Sequence, residues 1–230
     1  MKKIISFIAA ISLWQLVCMP VYAFDQVDLD KLLKTKKCEK CDLSGANLEG
    51  AVLQYADIVQ SDFRGVNLIN ANLNNSNAYW SDFSLADLHG VNFHGASLAE
   101  VNFFGADLSS ADLSWAFLKK AILAKANLQR ASLENATLGG ANLQESILAN
   151  ANLQHADLRN ADLRGAVLDN ANLQGAILNF ADLRGASLKG ANLKSTYIDK
   201  KPKMDNANLE YAKEQGAIFK KHLIKEGQDD

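Results

Sequence analysis

Among the side chains of this sequence that could do chemistry, Cys38 and Cys41 stand out first, because they form a C-x-x-C pair. Such a pair can close a short disulfide, stay as two thiols, bind a metal or run thiol–disulfide exchange. Zinc would need two further ligands, and none lies nearby in the sequence. A redox site of the thioredoxin type needs a strand–helix context that is missing here. In a chain meeting oxidising conditions the disulfide leads, with free thiols as its alternative. The four histidines, His89, His94, His155 and His222, are scattered, and no nucleophile–base pair, phosphate-cradling glycine loop or metal-ligand spacing accompanies them. No catalytic, metal or cofactor residue is therefore assigned, and the expectation is that the protein is not an enzyme.

What positions these residues is a phrase of five. Residues 41–200 repeat Ala-(Asn/Asp)-Leu-x-x without a slip, giving 32 phrases centred from Leu43 to Ile198. Leu occupies 25 of the centres, and Ala fills 23 of the positions two residues earlier, so one column is large and apolar and the other small. A strict period of five fits neither a helix nor an alternating strand, and fixed self-similarity means a solenoid. Two residues in five want burial and three are polar. A chain that turns a corner in every phrase satisfies that pattern, stacking its coils about 4.8 Å apart. Gly recurs two residues after the centre, as in Gly45, Gly165 and Gly185, where a tight corner needs its freedom.

Runs such as Ala46-Asn47-Leu48-Glu49-Gly50 and Ala161-Asp162-Leu163-Arg164-Gly165 resemble the pentapeptide repeat family. That resemblance implies an all-β solenoid: a right-handed quadrilateral parallel β-helix with four phrases per coil, in which each residue stacks on its counterpart four phrases later. Thirty-two phrases then make about eight coils and a rod of roughly 38 Å. Similar Cys pairs occur just before the first repeats in members of that family, which favours a structural role for Cys38 and Cys41. Some members mimic duplex DNA and occupy the DNA site of type II topoisomerases; that is the alternative function here. A mimic should be strongly acidic along one face. One face does stack Asp42, Asp62, Asp82, Asp162 and Asp182, but Arg64, Arg164 and Arg184 follow three of them. The repeats carry 16 acidic and 11 basic residues, and the whole chain has a net charge of −2.

The ends divide the rest. Residues 1–23 read as a cleaved signal peptide, with Lys2 and Lys3 before an apolar stretch and Val21-Tyr22-Ala23 at the cleavage site. Lipid attachment at Cys18 is the competing reading, although Leu16-Val17 sit where a small residue is expected. The localisation expected is periplasmic or extracellular, with no membrane span. Residues 24–40 read as an N-terminal helical cap, with Asp25 as N-cap and Val27, Leu29, Leu32 and Leu33 as its apolar stripe. Residues 201–230 read as a C-terminal cap and charged tail. Pro202 breaks the frame, and the phrases resume one residue out of step at Ala207-Asn208-Leu209.

Stacking of every fourth phrase assigns the remaining columns. Phe63, Phe83 and Phe103 fall inside one face with Phe93 opposite, while Ala78 replaces a large centre and predicts a loose or bulged coil unless Phe83 or an inward-turned Tyr79 fills it. Outside, Tyr79, Trp80, Phe117, Ile177, Phe180 and Tyr197 decorate one side, and Trp115 lies at the corner leading into it. Large outward residues cost solubility, so this side is the expected partner or self-association surface. The sequence thus points to an exported, non-enzymatic structural or interaction scaffold, with a protein partner, no nucleic acid and no cofactor.

Overall fold

A computed structural model of the chain describes residues 24–199 and 203–220; the expected signal peptide, Cys18, Pro202, His222 and the residues after 220 lie outside them. The repeats form a stack of rectangular coils. In each phrase the residue before the centre makes a parallel bridge to its counterpart four phrases on, as in Asp42↔Asp62, Asn47↔Asn67, Val52↔Asn72 and Asp57↔Asn77. Four bridge columns therefore run along the rod, one per face, and we number the faces first to fourth from the phrases of Leu43, Leu48, Leu53 and Ile58.

Local chemistry dictates the turn. The centre N–H donates along the rod, Leu43 N to Asp62 O at 2.8 Å, while Asp62 N donates back to Cys41 O at 2.8 Å. The phrase then closes on itself, Ala46 N donating to Leu43 O at 3.1 Å. Two residues after the centre the backbone turns left-handed, at φ 67° for Gly45 but also at 60° for Trp80. Turns come so often that single bridges replace extended strands. Only β1 (Tyr197–Asp199) and β2 (Ile218–Lys220) are longer among the described residues, and they pair in parallel, Tyr197 opposite Ile218. The register there is one residue longer than elsewhere, as it also is at Asp182↔Lys203, and this is the slip around Pro202.

The centres and the small residues two before them are buried and form one continuous core. Phe63 and Phe83 stack at 4.6 Å, Phe103 lies 5.4 Å from Phe83, and Phe93 meets both Phe83 and Phe103 edge-on at 5.9 Å across the interior. At Ala78 the ladder runs on through Asp57, Asn77 and Ser97 without a bulge. Tyr79 does not turn inward; its ring stacks on Trp80 at 4.5 Å. Ser61 and Ser81 donate to backbone carbonyls from the small-residue position, whereas the buried Ser76 hydroxyl, in the Ala78 phrase, has no hydrogen-bond partner among the described residues.

Helix α1 (Gln26–Thr35) begins at Asp25, whose carboxylate accepts from Val27 N at 2.7 Å. Asp25 N donates to Asp42 O, and the Asp28 carboxylate accepts from Asp42 N, each at 2.9 Å, so the helix is tied to the first face. Its inward stripe is narrower than the sequence suggests. Leu32 is buried and Leu29 packs on the core, but Val27 and Leu33 face water at 74% and 54% exposure. Three-residue spacing puts Leu29 and Leu32 over one another, and the other two fall to the sides. Helix α2 (Asn206–Glu214) lies at the other end, where Tyr211 Oη donates to Ala191 O at 3.0 Å.

Candidate functional site

The outward surface is built by a recurring turn. An Asn or Asp before the centre accepts, through Oδ1, the N–H of the residue after the centre: Ser44 N to Asp42 at 3.0 Å, His94 N to Asn92 at 2.9 Å. The turn needs an acceptor on a short stem. Where the position is Phe117, Thr137 or Ile177, the N–H groups of Lys119, Gly139 and Asn179 have no such acceptor, and no hydrogen bond holds them among the described residues. These three phrases lie on the fourth face; the N–H groups two residues after Val52, Ile122, Ile147 and Val167, on the other faces, likewise have no such acceptor among the described residues.

That face also carries the aromatic residues expected to meet a partner. Trp80, Phe117, Phe180 and Tyr197 are 50%, 57%, 47% and 38% exposed, and Trp115, 58% exposed, sits on the corner entering the face. Tyr79 and Ile177 are half-buried. Trp80, Trp115 and Phe180 all occupy left-handed corners, at φ 60°, 61° and 63°. A bulky residue there costs roughly 1–2 kcal/mol, which Gly or Asn would largely avoid. Trp80 donates from Nε1 to Glu100 at 2.9 Å, and Glu100 lies 4.0 Å from Lys120.

The structure draws only part of this set together. Phe117 and Phe180 flank an open groove of about 650 Å³ whose lining includes Gly139 and Gly140, while Tyr79 and Trp80 stand apart from it. Lys119, Lys120 and Arg159 line it as well. Arg159 donates to Asp157, Nε to Oδ1 at 2.9 Å and Nη2 to Oδ2 at 2.6 Å. That guanidinium holds the Asp157 carboxyl below the usual range despite partial burial, and Asp157 in turn raises Arg159. Lys119 has no charged partner among the described residues. The column reading missed the groove, although Gly139-Gly140 is the single Gly-Gly in the chain and marks it. It also missed a second apolar cluster on the first face, Leu85, Phe104 and Ile122, all exposed.

The other candidates are readily placed. Cys38 and Cys41 are bonded to each other with Cα atoms 5.5 Å apart, both buried, and Lys31 Nζ lies 3.8 Å from Cys41 Sγ. Asp28 stands beside the pair, but sulfurs bonded to each other offer no thiolate to a metal. His89 and His94 each pair with a serine on the next coil, Ser109 and Ser114, at 2.9 and 2.8 Å. On the first face Arg64, Arg164 and Arg184 fold onto Asp62, Asp162 and Asp182 at 2.5–2.7 Å. These contacts hold the Asp162 and Asp182 carboxyls down, and at Asp62 they outweigh the opposing desolvation. No described helix is long and apolar enough to cross a membrane.

Comparison with known proteins agrees with this architecture. The family described as pentapeptide repeats matches at residues 37–68, 59–90, 86–123, 126–165 and 166–199, well over half of the chain. No curated protein matches. Among solved structures, a pentapeptide repeat protein from the Arabidopsis thaliana thylakoid lumen is 31% identical over 49% of this chain and 79% of its own, with a TM-score of 0.47. HetL, a pentapeptide repeat protein involved in heterocyst differentiation regulation from the cyanobacterium Nostoc, is 28% identical over 74% of this chain and 94% of its own (TM-score 0.33). QnrB1, a plasmid-mediated fluoroquinolone resistance protein, is 17% identical over 78% and 93% (TM-score 0.39). The chain belongs to the pentapeptide repeat family, and its solenoid is that family's right-handed, four-sided β-helix.

Proposed function

We propose that this protein is an exported, non-enzymatic scaffold that docks a protein partner along the fourth face of its β-helix. In this reading residues 1–23 are a signal peptide removed on export. Residues 24–40 close the first coil, residues 41–200 form about eight coils, and residues 201–230 close the last and end in a charged tail. The Cys38–Cys41 bond locks the join between helix and first coil. One observation carries the docking assignment: Trp80, Phe117 and Phe180 stand about half exposed on one face, two of them at corners where a bulky side chain is strained. Interfaces concentrate such residues because each buries a large area at small conformational cost.

Duplex mimicry is the weaker reading, since the arginines on the first face offset the carboxylates that a mimic would display. The test is the triple variant Trp80→Ser, Phe117→Ser, Phe180→Ser. None of the three is a centre residue, so circular dichroism and thermal unfolding should show the fold retained. Capture of partner from the exported fraction, or self-association in sedimentation, should be lost. Capture and sedimentation equal to wild type would refute a fourth-face docking surface.

A further inference from the structure

Resting on that docking reading, we propose that the groove between Phe117 and Phe180 binds an extended partner segment that turns two apolar side chains, with a carboxylate between them, toward the rod. Charge selects this occupant. Lys119, Lys120 and Arg159 line the groove against the single carboxylate of Asp157, a local excess of two positive charges in a chain whose net charge is −2. Arg159 is engaged by Asp157, and Lys120 has only a 4.0 Å contact with Glu100, whereas Lys119 has no charged partner among the described residues. The groove therefore favours acidic over basic or neutral ligands.

The backbone adds a directional donor. In most phrases an Asn or Asp oxygen occupies the N–H after the centre, as Asp157 does for Arg159 at 3.1 Å. Thr137 does not do so for Gly139: its hydroxyl, turned toward Ala116 O at 3.5 Å, makes no hydrogen bond to the Gly139 N–H. The Gly139 N–H has no acceptor among the described residues, and this glycine lines the groove with no side chain of its own to cover the N–H. A partner carboxylate can take the place of the missing Asn or Asp oxygen there, with the lysine charges beside it. Phe117 and Phe180 are three coils apart, about 14 Å, which an extended segment of about four residues spans. The first, third and fifth residues of such a segment face the rod, so apolar side chains at the first and fifth would lie against the two rings and a carboxylate at the third would reach the floor.

The probe is the peptide acetyl-Leu-Ser-Glu-Ser-Leu-amide, titrated into the folded protein and followed by amide chemical shifts. Shifts should centre on Lys119, Lys120, Gly139, Gly140 and Arg159. Replacing the Glu by Gln in the peptide should weaken binding about tenfold or more, as loss of charge-assisted hydrogen bonds would. Two substitutions probe the site without unfolding it. A Cβ on Gly139 meets only Arg159 O, at 3.8 Å, so Gly139→Val fills the groove with the fold intact. Thr137→Asn supplies the missing acceptor to Gly139 N–H with no change of charge. Both should keep the wild-type thermal midpoint or better and bind the peptide about tenfold more weakly.

Equal binding of the Gln peptide, or unchanged binding by Thr137→Asn, overturns the proposal. So do concentration-dependent shifts at these amides without peptide, which would name a second copy of the chain as occupant. The docking reading fails separately. A partner that Thr137→Asn still captures and the triple serine variant does not would keep fourth-face docking and remove the carboxylate.

Discussion

Asp157 performs two jobs with one carboxylate, and they can be separated. Oδ1 accepts the Arg159 N–H at 3.1 Å, completing the turn, while both oxygens take the Arg159 guanidinium. Asn can keep the first bond and lose the ion pair; Ala loses both. The turn bond is worth about 1 kcal/mol and the exposed pair about 0–1 kcal/mol, so stability at neutral pH should run wild type, Asp157→Asn, Asp157→Ala. Acid should compress that order. Hydrogen bonding to Arg159 depresses the folded-state pKa of Asp157, so its contribution is present above the unfolded value of about 3.9 and is lost as pH falls through the folded one. Thermal melts from pH 7 to pH 3 should show the gap between wild type and Asp157→Asn closing. A gap that stays constant would mean that the ion pair does not contribute. This division also explains why the sequence alternates Asn and Asp freely in that column: both present the Oδ1 that the turn requires.

One phrase is the element of this fold, and its inward and outward positions differ far more than neighbours in a loop would. Leu133 is fully buried and donates its N–H to Asn152 O, while the side chain of Glu134 lies outside, accepting from Asn152 Nδ2 at 3.2 Å. Leu133→Asp should be severely destabilising, because an unpaired carboxylate would enter a stack of leucines; Glu134→Ala should change stability by about 0.5 kcal/mol or less. Equal thermal midpoints for the two variants would refute the assignment of sides. This much was legible from period alone, since Leu and Ala recur every five residues and both want burial, whereas the four-phrase coil came from the family resemblance. Three things were not. Val27 and Leu33 resemble partners of Leu32 by composition, yet the direction in which α1 leaves Asp25 decides which leucines touch the core. The corner residues Trp80 and Phe180 can be counted in the sequence, but their left-handed backbone follows from ladder geometry. The groove is a matter of depth, set by Gly139 and Gly140 between coils bearing Phe117 and Arg159, and a column assignment records direction without volume.

At the scale of the molecule, each coil bonds only to the coil before and the coil after, through bridges that each join a phrase to its counterpart four phrases away. Such a chain has no distant contact that fixes its length, so stability is close to a sum over coils and their interfaces. Deleting 126–145 removes one whole coil. Leu123 would then stack on Leu163 and Phe117 would bridge to Asp157, with every centre on either side of the junction still Leu. The shortened protein should fold and unfold cooperatively, with a denaturant slope reduced by about the share of one coil, because that slope follows the surface exposed. Deleting 126–143 removes less chain but breaks the frame. Ser146, Ala151 and Ala156 would become centres while Leu148, Leu153 and Leu158 turned outward, exchanging large buried side chains for small or polar ones coil after coil. The longer deletion should therefore be the more stable of the two, and matching urea midpoints would show that the frame is not what holds the rod. The same pair bears on binding. The in-frame deletion removes Gly139 and Gly140 from the groove floor and brings Phe117 and Phe180 to two coils, about 10 Å, apart. It should fold well and bind the Glu peptide no better than its Gln analogue, because a rod can lose a coil and keep its stability, whereas a groove made by the difference between adjacent coils cannot.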